Sequence, residues 1–114
     1  MPAIGVVATL IASAGAAWAE SAPTGHDVLR LCGGPAAMAA PPPTCVGYFE
    51  GALDAAGTEL ARRRLTACPP PAFGAVEAAA LFALESRRFP EALDAPAADL
   101  VAGMLLKFFP CTGV

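Results

Sequence analysis

Residues 44–65 read TCVGYFEGALDAAGTELARRRL. Cys45, Tyr48, Phe49, Ala52, Ala56 and Leu60 recur at helical spacing along one face. Thr44 is placed as an N-cap, and the predicted helix runs to about Leu65. Arg62, Arg63 and Arg64 fall in its last turn, where cations complement the helix dipole. A solvated helix end explains that triplet better than a nucleic-acid patch does. Glycine inside a helix costs roughly 0.5–1 kcal/mol relative to alanine, yet Gly47 and Gly51 lie one turn apart here. They are expected to let another helix lie close, either within the domain or from a second copy across a two-fold axis. Gly57 is expected to mark a bend.

Prolines cut the rest of the chain into three more segments that read as helical: Pro41–Pro43, Pro69–Pro71, Pro90, Pro96 and Pro110. The first segment runs from about Asp27 to Cys32. It is opened by the capping-box pair Thr24 and Asp27, and stopped by Gly33-Gly34-Pro35. The third runs from about Phe73 to Arg88, with Val76, Ala80 and Leu84 as its apolar stripe and Phe73, Glu77 and Leu81 beside it. The fourth begins at Asp94 as N-cap, just before Pro96, and ends near Phe108. Its stripe is Leu100, Val101, Met104, Leu105 and Phe108. No strand-like alternation interrupts these segments, so the fold class is all-α, a small bundle of about four helices.

Residues 1–19, MPAIGVVATLIASAGAAWA, carry no charge. Ile4–Ala17 reads as the apolar core of a secretory signal, although no Lys or Arg precedes it. Ala17-Trp18-Ala19 supplies the small-x-small cleavage pattern, with Glu20 opening the mature chain. A membrane anchor needs about 20 apolar residues, and this run stops short of that. The domain is therefore expected over residues 20–114, exported and without stable membrane association. The net charge of −3 argues against a nucleic-acid partner, which requires a basic stripe.

The four cysteines, Cys32, Cys45, Cys68 and Cys111, all follow the cleavage pattern, and an even count in a short exported chain predicts two disulfides. A metal site is disfavoured: no C-x-x-C spacing occurs, and His26 is the only histidine. No cofactor motif is present. Cys45 and Cys68 flank a helix about 30 Å long at 1.5 Å per residue, whereas bridged Cα atoms lie within roughly 7 Å. A continuous helix therefore rules out that pairing and leaves two connectivities. An antiparallel hairpin of the first two helices favours Cys32–Cys45 with Cys68–Cys111. Nothing assembles a catalytic group. Glu50 and Asp54 share a helix face but read as solvated charge, and no nucleophile motif or phosphate loop occurs. Phe108 and Phe109 cannot both enter one core, so one of them is expected to cover the Cys68–Cys111 bridge or to meet a partner.

Cys45-x-Gly47-Tyr48-Phe49-x-Gly51-x-x-Asp54-Ala55 resembles the C-x-G-Y-[aliphatic]-x-G-x-x-D-A pattern of the Rap/Tai family, immunity proteins against amidase effectors of type VI secretion. The resemblance continues through Cys68-x-Pro70 and a helix ending near Pro90. It closes on Leu100-Val101-x-x-Met104-Leu105-x-x-Phe108-Phe109-Pro110-Cys111, and so spans about Leu29 to Cys111. Two departures stand out: Cys68 is followed by three prolines, and Phe89 replaces a histidine common before the proline. The resemblance implies a periplasmic, disulfide-bonded helical protein, often dimeric, with no activity of its own. Such a protein binds a peptidoglycan amidase and occludes its Cys-His active-site cleft. The charged turn Glu85, Arg87, Arg88, Glu91 and Asp94 is the candidate partner-binding segment. Two alternatives stand beside this reading. One is a periplasmic acid-response chaperone of helical, disulfide-bonded type; the other is a family member with an unrelated housekeeping role.

Overall fold

The computed structural model describes residues 22–111; the expected signal peptide and its cleavage point lie outside the described residues. Four α-helices follow one another: α1 (Gly25–Leu31), α2 (Pro43–Arg62), α3 (Ala75–Arg88) and α4 (Ala97–Phe108). Two 3-10 turns join them, η1 (Pro35–Ala39) between α1 and α2 and η2 (Pro90–Asp94) between α3 and α4. Among the described residues no strand forms. Two isolated bridges, Thr24 with Pro96 and Ala67 with Pro110, tie the chain at opposite ends of α4. None of the described helices is long and apolar enough to cross a membrane.

Helix α2 runs unbroken through Gly57 for 20 residues, so no bend is needed there. Cys45 and Cys68 therefore stay far apart. The bridges are Cys32–Cys45 and Cys68–Cys111, with Cα separations of 4.8 and 5.1 Å. The first is wholly buried, whereas Cys68 and Cys111 are exposed. α2 ends as the helix code allows: Arg64 takes a left-handed conformation (φ 59°). The Leu65 and Arg64 N–H groups then donate to the carbonyls of Leu60 and Ala61. Arg62 and Arg63 are held by Glu59, and the Arg62 guanidinium draws the Glu59 carboxyl below its ordinary pKa.

Three helix starts differ from their sequence expectations. α2 begins at Pro43 rather than after Thr44, because proline needs no N–H partner in the first turn and its φ is already helical. α3 begins at Ala75, not Phe73. A turn from Pro70 places the Glu77 carboxylate to accept the Gly74 N–H at 2.8 Å, which satisfies one of the orphan donors of that helix end. α4 begins at Ala97 with Pro96 before it, while Asp94 closes η2. The α1 capping box forms as expected: Thr24 Oγ1 accepts from Asp27 N–H (3.3 Å), and Asp27 Oδ2 accepts from Thr24 N–H (2.9 Å). Thr24's backbone bond, with the Arg30 guanidinium contributing, keeps the Asp27 carboxyl below its ordinary pKa.

The core lies where α2 meets α3 and α4, with η1 packed on α3 and α1 on η2 and α4. Phe49, Met38, Val28 and Val101 are its largest fully buried side chains. On α4 the expected stripe holds, with Val101, Met104 and Leu105 buried and Leu100 and Phe108 half-buried. On α3 the expected stripe is corrected. Val76 (46 % exposed), Ala80 and Leu84 (44 %) face outward. The buried face is Ala78, Ala79, Phe82, Ala83 and Ser86, whose small side chains let η1 and α2 come near. Phe109 turns towards the exposed bridge. Its carbonyl accepts from the Cys68 N–H at 2.7 Å, and its ring lies 4.6 Å from that of Phe73.

A close approach does involve a glycine, but in α1. A Cβ on Gly25 would lie 2.8 Å from Leu100 Cδ1 and 2.8 Å from Leu93 Cδ2, with the Leu93 Cα at 3.1 Å. The Gly25 N–H meanwhile donates to the Ala95 carbonyl (3.1 Å), and the Ala97 N–H to that of Pro23 (2.9 Å). Gly25→Ala is therefore expected to destabilise by about 1–3 kcal/mol through overpacking, despite alanine's better helix propensity. Urea denaturation checks this; a stabilised variant would contradict it.

Candidate functional site

Two surfaces carry the residues singled out in the sequence. The first is the outer face of α2. Phe49 points inward onto Phe82, the ring centroids 5.5 Å apart. Tyr48, its neighbour, stays half-buried and stands edge-on to Phe49 at 5.2 Å; burial pushes its phenol pKa up. Gly47 and Gly51 face outward. A Cβ on either would meet no described residue within 4 Å, so no described helix of the domain is seated on them. With Tyr48, Ala52 and Ala55 they form the floor of a shallow groove whose other wall includes Pro23 and Pro96. Asp54 is exposed on the same helix, as is Glu50, in keeping with solvated charge.

The second surface is the end of α3 with η2 and the adjoining face of α4. The residues expected there as one exposed turn divide into three environments. Arg87, Arg88 and Glu91 are exposed. Asp94 reaches back to α1, with Oδ1 3.1 Å from His26 Nε2. Glu85 is not an exposed residue: its side chain is 18 % accessible and its Oε2 accepts from Lys107 Nζ at 2.8 Å. The Lys107 ammonium also sits 4.5 Å from the centre of the Phe89 ring and 5.2 Å from that of Phe108, within the range of cation–π attraction. Glu85, Phe89 and Lys107 thus close one side of a cleft between α3, η2 and α4. Phe89 is 44 % exposed.

Outward from this cleft, Val76, Ala80 and Leu84 form a line along α3 that leads to Arg87 and Arg88. An apolar ridge ending in two cations is a surface suited to meeting another protein. Among the described residues no group of His, Cys, Asp and Glu converges as a metal site.

The sequence model of the Rap1a immunity proteins matches residues 24–111, the whole of this helical architecture from the α1 cap to the second bridge. The chain belongs to that family. Neither the curated proteins nor the solved structures include a match to it. Membership together with two disulfides indicates an exported protein that acts by binding a partner effector.

Within this immunity fold the family pattern has identifiable structural tasks. Cys45 anchors the start of α2, and Pro110 follows α4 and bridges to Ala67. Two residues of the second surface were missed by sequence reasoning. Lys107 lies 22 positions from Glu85, and no local spacing couples them. Phe89 was noticed only as a departure from the family's usual histidine; its part is to carry the Lys107 ammonium.

Proposed function

We propose that this protein is the periplasmic antidote to a peptidoglycan amidase delivered by type VI secretion, acting by occlusion of the amidase active-site cleft. The observation that carries the reading is the match to the immunity family over the entire helical domain. An inhibitor of this kind needs no chemistry of its own. It must be rigid, survive an oxidising compartment and present a complementary surface; the two bridges supply the first two requirements. The α3 ridge with Arg87 and Arg88 is the surface proposed to meet the effector, and Glu91 at its edge belongs to the same rim. The groove over Gly47, Tyr48 and Gly51 is proposed for contact with a second copy of the chain.

The test uses the neighbouring reading frame. Its product is directed to the periplasm of a test bacterium with and without this protein, and lysis is followed by optical density. Co-expression should prevent lysis. Arg87→Glu with Arg88→Glu should weaken the purified complex by about tenfold, chiefly through slower association, as rim charges do. The melting temperature of the variant should stay that of the parent, because both side chains are exposed. Unchanged lysis, with no binding between the purified proteins, would sink the reading.

A further inference from the structure

Cys68 is followed by Pro69, Pro70 and Pro71, a run that neither surface described above uses. Three prolines in a row supply no N–H donor and hold φ at about −65°, so the segment is stiff and can tie itself to its surroundings only from its ends. It forms the middle of a strap, residues 65–74, that joins α2 to α3 without helix. Among the described residues, one backbone hydrogen bond links the strap to the end of α4, from the Cys68 N–H to the Phe109 carbonyl at 2.7 Å. The Phe73 ring rests 4.6 Å from that of Phe109. The covalent tie is the Cys68–Cys111 bridge, and both of its residues are exposed.

Beneath the strap lies a hollow rather than a packed seam. Leu65, Pro69 and Phe73 line it from the strap, Leu53, Leu60 and Leu105 from α2 and α4, and it holds about 270 Å³. Side chains that border open space forgo the contacts a filled seam would give them, so packing holds the strap down only weakly. Leu65, at its start, is 44 % exposed. We propose that Cys68–Cys111 is a reversible redox latch opened by a dithiol, and that opening it frees residues 65–74 from the end of α4 while the helices and the buried Cys32–Cys45 bridge stay in place.

One thiolate of the dithiol attacks a sulfur of the bridge. The Sγ–Sγ bond breaks, a mixed disulfide forms, and the other cysteine leaves as a thiolate that takes up a proton. The second thiol of the reagent gives up its proton and displaces the remaining protein sulfur, which is protonated in turn. The reagent ends as a cyclic disulfide, oxidised by two electrons, and Cys68 and Cys111 end as two thiols. A small disulfide such as oxidised glutathione accepts those two electrons and closes the latch again. A dithiol is the fitting class for opening. Once the strap lifts, the freed cysteine must close a loop with a sequence separation of 43 to re-form the bridge, whereas the reagent's second thiol is already tethered beside the mixed disulfide.

For the test, the full exported chain is titrated with dithiothreitol until alkylation and mass mapping find Cys68 and Cys111 free and Cys32–Cys45 intact. Amide hydrogen exchange then reads the strap. The Cys68 N–H should lose at least about tenfold in protection, while the Phe49 amide of α2 stays at least about tenfold better protected than Cys68. Far-UV circular dichroism should be unchanged, and oxidised glutathione should restore the Cys68 protection. Cys68→Ser with Cys111→Ser should show the open pattern without reagent and ignore dithiothreitol. Equal Cys68 protection in the reduced and oxidised parent would overturn the inference, because packing alone would then hold the strap. Loss of helix on opening this one bridge, or opening of both bridges at the same dithiothreitol level, would overturn it as well. The latch does not depend on which partner the protein binds.

Discussion

Phe49→Ala is expected to destabilise the domain by about 3–5 kcal/mol, the usual cost of deleting a buried aromatic side chain. Phe49 is fully buried and meets two rings edge-on, those of Tyr48 and Phe82. Each such pair adds roughly 0.5–1.5 kcal/mol beyond the area it buries. The opposing face of α3 is built from Ala78, Ala79 and Ala83 around Phe82. Alanines have no rotamers with which to move into the space, so the cavity stays open and the upper part of the range applies. Domains of this size are stable by about 5–15 kcal/mol in all, and each lost kcal/mol lowers the midpoint by about 4–8 °C. Thermal unfolding should therefore shift down by at least about 12 °C. A change below about 1 kcal/mol would mean that the centre of the core lies elsewhere.

Removing the buried bridge by Cys32→Ala with Cys45→Ala is the second large effect. The bridge closes a loop with a sequence separation of 13, and chain entropy assigns about 3 kcal/mol to such a loop. Both cysteines are fully buried in the core, so the double alanine also leaves a void, and the total should approach about 4 kcal/mol. The bridge between Cys68 and Cys111 spans a separation of 43 and is assigned about 4 kcal/mol by chain entropy alone. The two differ in access. Thiolate attack must reach a sulfur, so a graded thiol titration should open the exposed Cys68–Cys111 pair well before the buried one. Alkylation and mass mapping read that order directly, and urea unfolding of the double variants reads the energies. Simultaneous opening of both bridges, or a buried-bridge variant less than about 1 kcal/mol weaker than the parent, would contradict this account.

Much of the architecture was legible in the chain because it depends on local stiffness. Pro90 and Pro110 follow the ends of α3 and α4 as expected, and the Thr24–Asp27 pair capped α1 as the spacing required. One bridge pattern was excluded by a length, since a continuous α2 holds Cys45 and Cys68 too far apart to join; the hairpin of the first two helices favoured the one of the remaining two that forms. Helix starts were less legible. Pro43, Gly74 and Pro96 serve as well as the expected Thr44, Phe73 and Asp94, and backbone partners such as Pro23 and Pro70 settle the outcome.

The candidate site was legible only in outline. Arg87, Arg88 and Glu91 are exposed as anticipated, yet Glu85 belongs to the cleft with Lys107 and Asp94 to His26. Gly47 and Gly51 were rightly marked as unusual, but no part of the described domain packs on them.

Sequence by itself determined how many helices form, where Pro90 and Pro110 end two of them and that Cys45 and Cys68 cannot meet, since these depend on backbone preference and contour length. Tertiary structure alone decided which side of α3 is buried. Alanine and apolar residues occur on both of its faces, so no periodicity distinguishes them; the Ala78, Ala79 and Ala83 side is inside because only small side chains let η1 and α2 approach closely enough to bury Phe82 and Met38. The cleft has the same origin, because Glu85 and Lys107 become neighbours only when α3 and α4 are both packed on α2.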